Sequence, residues 1–208
     1  MELTKQNALL IIDVQNDFLP GGALAVSQGD DIIPVINGIQ EKFDFIVATQ
    51  DFHPADHKSF AANNPGRKVG DSMDLNGLDQ FLWPVHCVQD TSGADFSKTL
   101  IQKNWIKIFQ KGMNPEVDSY SGFFDNAKRG DTGLSKFLKK NQVERVFICG
   151  LALDYCVMFT ALDALNEGFE TYLITDATRA VNVKPTDGEN SLRKLSAAGI
   201  KLITSKEL

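Results

Sequence analysis

Short apolar runs separated by longer amphipathic stretches are the feature that most limits how this chain of 208 residues can fold. Runs this short and this rich in β-branched and aromatic side chains are typical of strands covered on both faces. They lie at residues 9–12, 45–48, 105–109, 146–149 and 171–174, with a weaker run at 201–204. The pattern predicts six strands.

The stretches between the runs predict helices. Apolar side chains recur at helical spacing in residues 31–42, 132–141, 154–167 and 187–198, and Gly168 and Gly199 follow the last two stretches. Strands alternating with helices predict a three-layer, doubly wound α/β fold, in which helices cover both faces of a mostly parallel six-stranded sheet. The length predicts one domain over residues 1–208. Residues 53–104 carry three prolines and few periodic runs, which indicates a long loop region or lid.

Composition argues against several classes of partner. The formal net charge is −6 and the chain has no basic stretch, so we expect no binding to nucleic acid. The first apolar run is too short to span a membrane or to act as a signal-peptide core, so we expect no membrane partner. Three scattered cysteines indicate a reducing compartment. Together these features predict a cytoplasmic protein.

Chemically active side chains follow the predicted strands. Asp13 follows the first run, Lys111 the third and Cys156 the fourth, and the carboxyl ends of parallel strands meet at one edge of the sheet. A helix N-terminus and a nearby lysine both stabilise a thiolate, so Cys156 is a candidate nucleophile, with Asp13 as a base. Two alternatives stay open at this point: a buried cysteine that only packs, and a structural ion pair between Asp13 and Lys111.

A second group of side chains has the chemistry of a metal site. Asp51 and His53 follow the second run, and His86 lies in the irregular region. Two imidazoles and a carboxylate suit zinc, iron or manganese. Solvated loop histidines are the alternative. Phe18 and Trp83 are aromatic residues in predicted loops, where they either cover a flat ligand or simply pack.

Seven segments of the chain together resemble the nicotinamidase group of the isochorismatase-like cysteine hydrolase superfamily. They are residues 10–18, 21–24, 49–54, 82–88, 111–112, 118–123 and 150–157. Each segment alone is a weak signal, but all of them in this order are specific, and the resemblance covers essentially the whole chain.

The resemblance implies a role for each matching residue. The catalytic triad is Asp13, Lys111 and Cys156, and the backbone amides of Ala152 and Cys156 form an oxyanion hole beside a cis peptide between Leu151 and Ala152. The metal ligands are Asp51, His53 and His86; Ser59 stands where some relatives carry another ligand, a contact that is here either lost or mediated by water. The pocket residues are Phe18, Leu24, Trp83 and Tyr120. Leu153 departs from the family pattern, which often has threonine there.

The resemblance also implies an activity. We expect an amidohydrolase that uses one divalent metal ion, with zinc preferred over iron or manganese, and that converts nicotinamide to nicotinate and ammonia through a thioester, in NAD salvage. Pyrazinamide is an expected second substrate. Two alternatives remain: another small-amide or metal-free cysteine hydrolase of the superfamily, and a non-catalytic binding module. The sequence does not decide between a monomer and a homo-oligomer.

Overall fold

The first strand lies at the centre of the molecule because both of its faces are apolar. In the computed structural model, which describes residues 2–208, β1 (Asn7–Ile12) is buried along its whole length. Successive side chains of a strand point to opposite faces. Leu9 and Ile11 therefore enter one core, while Leu10 and Ile12 enter the other.

The remaining strands extend this arrangement into a parallel sheet. They are β2 (Phe45–Asp51), β3 (Ser72–Leu75), β4 (Leu78–Phe81), β5 (Trp105–Lys111), β6 (Arg145–Leu151), β7 (Glu170–Arg179) and β8 (Lys201–Ile203). Six of them form one sheet in the order β5-β2-β1-β6-β7-β8, and every pairing in it is parallel. Strands β3 and β4 form a separate antiparallel hairpin.

Helices cover both faces of the sheet. Helix α1 (Ile32–Gln40) packs on one face through its isoleucines. Helices α2 (Leu134–Lys140), α3 (Met158–Asn166) and α4 (Asp187–Ala198) pack on the other. The doubly wound fold with a six-stranded sheet, predicted from the periodicity, is thereby confirmed. None of the helices in residues 2–208 has the length and apolar character needed to cross a membrane.

The order of the strands determines where a ligand can bind. From β1 the chain moves outward to β2 and β5, and then returns to β6 on the other side of β1. Connections that leave two adjacent strands in opposite directions open a crevice at their carboxyl ends. This crevice lies beyond Ile12 of β1 and Leu151 of β6.

Two local features differ from the sequence prediction. The helix predicted from residue 154 begins with a π-helical turn over Leu153–Val157, and α3 starts only at Met158. The region 53–104, predicted as irregular, contains the β3–β4 hairpin. Its turn residues Asn76 and Gly77 have φ values of 56° and 85°. An Asn-Gly pair is a strong hairpin signal, but apolar runs do not reveal this hairpin because its strands have four residues each and apolar and polar side chains are mixed in them.

Candidate active site

The three predicted catalytic side chains meet at the crevice. Asp13 follows β1 directly with a φ of 46°, Lys111 is the last residue of β5, and Cys156 lies in the π-helical turn after β6. The Lys111 Nζ lies 2.9 Å from the Asp13 Oδ2 and 3.4 Å from the Cys156 Sγ. The sheet therefore brings a carboxylate, an ammonium and a thiol into mutual contact.

Lys111 is a buried cation held by two carboxylates. Its Nζ donates hydrogen bonds to the Asp51 Oδ1 at 2.6 Å and to the Ser119 carbonyl at 2.9 Å, in addition to its ion pair with Asp13. Burial by itself lowers the pKa of Lys111, but Asp13 and Asp51 raise it well above its ordinary value. Lys111 is therefore an ammonium at neutral pH.

Asp13 and Cys156 are tuned mainly by burial. Burial raises the pKa of the Asp13 carboxyl above its ordinary value, against the lowering effect of Lys111, and the Thr49 hydroxyl donates a hydrogen bond of 2.6 Å to its Oδ1. Burial also raises the pKa of the Cys156 thiol well above its ordinary value, while Lys111 lowers it. Lys111 acts in the direction that the sequence indicated, but burial has the larger effect, so the resting thiol is protonated.

The three predicted metal ligands also converge. Ligand atoms of Asp51, His53 and His86 lie within 4.8 Å of one another, and all three residues are buried. The Asp51 Oδ2 is 3.5 Å from the His53 Nε2 and 3.8 Å from the His86 Nε2. Ligand atoms that each lie about 2 Å from a zinc ion are separated from one another by roughly 3–3.5 Å, so the cluster is close to what such an ion requires.

Backbone carbonyls orient both imidazoles. The His53 Nδ1 donates to the Gly112 carbonyl at 2.9 Å, and the His86 Nδ1 donates to the Pro84 carbonyl at 2.8 Å. A proton on Nδ1 leaves the Nε2 atom of each ring directed toward Asp51, which is the arrangement that metal-binding histidines use. Burial and the neighbouring His53 lower the pKa of His86 to about 4, so its ring is neutral at neutral pH.

Ser59 lies outside this cluster. Its hydroxyl is 2.7 Å from the His57 Nδ1, and its backbone N–H donates to the same nitrogen at 3.1 Å. The Ser59 side chain thus contacts a neighbouring histidine instead of the group formed by Asp51, His53 and His86.

A cavity connects the two groups of side chains. Its lining includes all four predicted pocket residues, Phe18, Leu24, Trp83 and Tyr120, together with Asp51, His86, Ala152 and Cys156. The Trp83 Nε1 donates a hydrogen bond of 3.1 Å to the Tyr120 hydroxyl, which holds two of the aromatic walls together. The peptide between Leu151 and Ala152 is cis, as the resemblance implied.

Three further lining residues received no role from the sequence: Asp118, Tyr155 and Val181. Asp118 is a buried carboxylate whose Oδ2 accepts a hydrogen bond of 3.0 Å from Gln80 on β4. Asp118 and Tyr155 lie within segments that carry the family resemblance, and that was the only signal for them. Val181 follows β7, where no chemically distinctive side chain marks the strand end.

Asp51 belongs to both groups of side chains. Its Oδ1 accepts the hydrogen bond from Lys111 at 2.6 Å, while its Oδ2 faces the two imidazoles. Burial by itself raises the pKa of Asp51, but Lys111 and His53 lower it far below its ordinary value. The candidate nucleophile Cys156 and the cluster that fits a metal are therefore adjacent and electrostatically connected through Lys111.

Known proteins with the same architecture identify the family. A model of the isochorismatase domain matches residues 7–207. The nicotinamidase of Escherichia coli K12 is 45% identical over 201 residues, which cover 95% of this chain and 94% of that protein. The structure of a nicotinamidase/pyrazinamidase from Acinetobacter baumanii has a TM-score of 0.96 and 39% identity, and covers 99% of both chains. The structure of a Pyrococcus horikoshii pyrazinamidase in complex with zinc has a TM-score of 0.78 and 41% identity, and covers 96% of this chain and 99% of that one.

The chain therefore belongs to the isochorismatase family. Within that family it falls in the nicotinamidase/pyrazinamidase group of amidohydrolases, because relatives in this group match it over nearly the full length of both proteins. The group assignment made from the sequence motifs is confirmed.

Proposed function

We propose that the protein hydrolyses nicotinamide to nicotinate and ammonia with Cys156 as the nucleophile, and that it also deamidates pyrazinamide. One observation carries the proposal: the ammonium of Lys111 contacts Asp13, Cys156 and Asp51, so the thiol stands beside a cluster that fits a metal, within a single cavity. Such a cavity suits a flat heteroaromatic ring whose nitrogen is a metal ligand and whose carboxamide reaches the thiol.

The first half of the reaction forms a thioester. Asp13 accepts the thiol proton of Cys156, and the sulfur attacks the amide carbon to form a C–S bond. The backbone amides of Ala152 and Cys156 hold the resulting oxyanion, where one such donor contributes about 3 kcal/mol. Asp13 then returns the proton to the amide nitrogen, the C–N bond breaks and ammonia leaves.

The second half releases the product. Asp13 takes a proton from a water molecule, whose oxygen attacks the thioester carbon, and the same amides hold the second oxyanion. The C–S bond breaks, the proton returns to the sulfur, and the new carboxyl group loses its own proton to solvent as the product leaves as nicotinate. The pKa of Asp13, raised by burial, suits a carboxylate that accepts and returns a proton twice in each cycle.

The ligand set fits one divalent ion. Asp51, His53 and His86 would hold it, and the two imidazoles present their Nε2 atoms because Nδ1 is bound to a carbonyl. We propose zinc, because the donors are two nitrogens and one carboxylate oxygen and because the Pyrococcus relative is a zinc complex. When bound, the ion supplies a Lewis acid for the pyridine nitrogen.

The cavity walls orient the ring. Phe18, whose ring centroid is 5.6 Å from that of His86, and Trp83 present apolar faces to the cavity. Leu24 and Tyr120 restrict its remaining sides. A ring held in this way places its carboxamide at Cys156, which reduces the entropic cost of attack.

The proposal extends to the setting of the reaction. The family match over residues 7–207 supports a single catalytic domain. Cys87, Cys149 and Cys156 are all unpaired and buried, which supports a reducing, cytoplasmic compartment. The product, nicotinate, would enter NAD salvage.

The test is turnover by the purified, zinc-loaded protein. We expect equal amounts of nicotinate and ammonia from nicotinamide, and turnover of pyrazinamide, with no reaction on isochorismate or N-carbamoyl compounds. Turnover of a different amide with nicotinamide untouched would identify another amidase of the family. A protein that binds nicotinamide but turns over none of the amides would be a non-catalytic binding module.

A further inference from the structure

The loop that follows β1 contacts the segments carrying Asp51, His53 and His86 through two side chains that take no part in the proposed reaction. Gln15 is buried and Asp17 is half-buried. Neither side chain bonds to a side chain of the triad, although the Gln15 backbone N–H donates to the Asp13 carbonyl at 2.8 Å. Each side chain binds the backbone of a segment that carries predicted metal ligands. The loop begins at Asp13, so it joins the base of the reaction to the metal site.

Gln15 holds the backbone of Asp51 on both sides of that residue. The Asp51 N–H donates to the Gln15 Oε1 at 2.8 Å, and the Gln15 Nε2 donates to the Asp51 carbonyl at 2.8 Å. Strand pairing between β1 and β2 ends at Ile12 and Thr49, so Asp51 lies beyond the last paired residue on that side. The amide of Gln15 supplies the backbone partners that a neighbouring strand would otherwise provide.

Asp17 holds the peptide that follows His86. Its Oδ2 accepts a hydrogen bond of 2.7 Å from the Cys87 N–H, which belongs to the peptide joining His86 to Cys87. Cys87 has a φ of 45°, in the left-handed region, so this turn needs a fixed partner. The Cys87 carbonyl in turn accepts the His53 N–H at 3.0 Å. One carboxylate therefore supports the backbone of both histidine ligands.

Gly93 gives an independent way to disturb this carboxylate. A Cβ atom added at Gly93 would overlap the Asp17 Oδ2, so any side chain there displaces the carboxylate of Asp17. The neighbouring Asn16 provides a matched control. Its Nδ2 donates to the Ser92 carbonyl at 2.8 Å and touches neither segment that carries a ligand.

We infer that Gln15 and Asp17 are positioning residues for the metal centre, fixing the backbone of Asp51 and of the His86–Cys87 turn from the loop that carries Asp13. The inference rests on the proposed metal-dependent function. A positioning role differs from a general structural role in one respect. Loss of either contact should weaken zinc binding but preserve the reactivity of Cys156, because the ends of the strands locate the triad.

The experiment measures two properties of each variant. The zinc dissociation constant of the apoprotein is measured by competition with a chromogenic chelator, and the alkylation rate of Cys156 is measured with iodoacetamide and peptide mass spectrometry. Gln15→Glu retains the acceptor for the Asp51 N–H but loses the donor, and Asp17→Asn retains the shape but loses the charge. For both variants we expect zinc binding about 10- to 100-fold weaker, as for other changes to groups that support ligands.

The remaining readouts separate positioning from general destabilisation. Gly93→Ala should weaken zinc binding as Asp17→Asn does, and Asn16→Ala should leave it unchanged. Alkylation of Cys156 should stay within about twofold of wild type in every variant, since each substitution keeps the side chains of Asp13, Lys111 and Cys156. At limiting zinc, KM for nicotinamide should rise more than kcat falls.

Three outcomes would overturn the inference. Unchanged zinc affinity in Gln15→Glu and Asp17→Asn is the first. The second is a parallel loss of zinc affinity and alkylation rate, which indicates only a loosened structure. The third is a wild-type protein that binds no zinc, which would also remove the metal from the proposed function. If Asp17→Asn does not fold, Gly93→Ala and Gln15→Glu decide the question.

Discussion

The site has a triad half, formed by Asp13, Lys111 and Cys156, and a metal half, formed by Asp51, His53 and His86. The two halves are built differently. Asp13 and Lys111 lie at the ends of β1 and β5, and Cys156 lies five residues beyond the end of β6, so the sheet determines where they meet. His53 and His86 lie outside the six-stranded sheet, where an isolated bridge of His53 to Val88 and contacts of both rings to backbone carbonyls locate them. A ladder of backbone hydrogen bonds tolerates the loss of one contact better than a loop does. We therefore expect the metal half to be more sensitive to distant substitutions than the triad half.

The largest expected effect separates the two halves completely. Cys156→Ala removes the proposed nucleophile, so ammonia release should fall by about 10⁴- to 10⁶-fold. Zinc affinity should stay at the wild-type value if zinc binds at Asp51, His53 and His86, whereas a loss of affinity would point to the neighbouring group of Asp13, Asp51 and Cys156. Measurement of both quantities on the same preparation checks the prediction.

The control for this experiment removes a different buried thiol. Cys149→Ala, in the core of β6, should retain its activity per folded molecule. Substantial turnover by Cys156→Ala would refute the assignment of the nucleophile. A coincident loss of zinc would show that the two halves are not separable.

The next effect concerns the cation between the halves. Lys111→Met keeps the length of the side chain and leaves the carboxylates of Asp13 and Asp51 buried without their ammonium partner. Loss of one partner from a buried ion pair typically costs about 3–5 kcal/mol. Urea denaturation should show a loss of this size in the free energy of unfolding, and alkylation of Cys156 should slow because Lys111 lowers its pKa.

A surface lysine provides the comparison for Lys111. Lys128, whose side chain is 58% exposed, pairs with Asp163 at 2.8 Å, and Lys128→Met should cost no more than about 1 kcal/mol. Equal losses in the two variants would mean that the buried triad has no special electrostatic role.

The sequence predicted the triad half better than the metal half for the same physical reason. Apolar periodicity locates strands, and strand ends in a parallel sheet fall at one edge, so the meeting of Asp13 with Lys111 follows from pattern alone. The pairing of His86 with His53 does not follow from any period; the chemistry of the residue types suggested it, and the family resemblance implied it. Ser59 faces His57, a detail set by the local turn and one that spacing cannot predict.

Two other features were not predicted from the sequence, for different reasons. The net rise in the pKa of Cys156 depends on how completely the thiol is buried, which only packing decides. The β3–β4 hairpin has four-residue strands in which apolar and polar side chains are mixed, so apolar runs did not reveal it, although its Asn76-Gly77 turn was readable. The hairpin matters to the site because Gln80, on β4, holds Asp118.

The metal half should respond to removal of its ion or of one ligand. Treatment with a chelator, or the substitution His53→Ala, should lower kcat/KM for nicotinamide by about 100-fold, chiefly through KM, because the ring loses its anchor. Alkylation of Cys156 should continue. Added zinc should restore the chelated wild type but not His53→Ala, and an unchanged KM after chelation would contradict the anchoring role.

The smallest expected effect comes from Glu167, which lies outside both halves of the site. Its substitution shows how large a change in stability a surface contact produces. The carboxylate of Glu167 accepts hydrogen bonds from Ser135 at 2.5 Å and Lys139 at 2.7 Å, and these contacts lower its pKa below its ordinary value of 4.5. A lowered folded-state pKa adds stability above the ordinary value, and this stability is lost as the pH falls through the folded pKa. Glu167→Gln should therefore cost about 0.2–1 kcal/mol at pH 7.

The pH dependence distinguishes this surface pair from general packing. The difference in unfolding free energy between wild type and Glu167→Gln should shrink as the pH falls below about 4.5, because protonated Glu167 resembles glutamine. Glu189→Gln is the matched control, since its carboxylate lies 3.7 Å from Arg193 with both side chains exposed, and it should change stability less. A difference that persists unchanged at low pH would assign the effect of Glu167 to shape instead of charge.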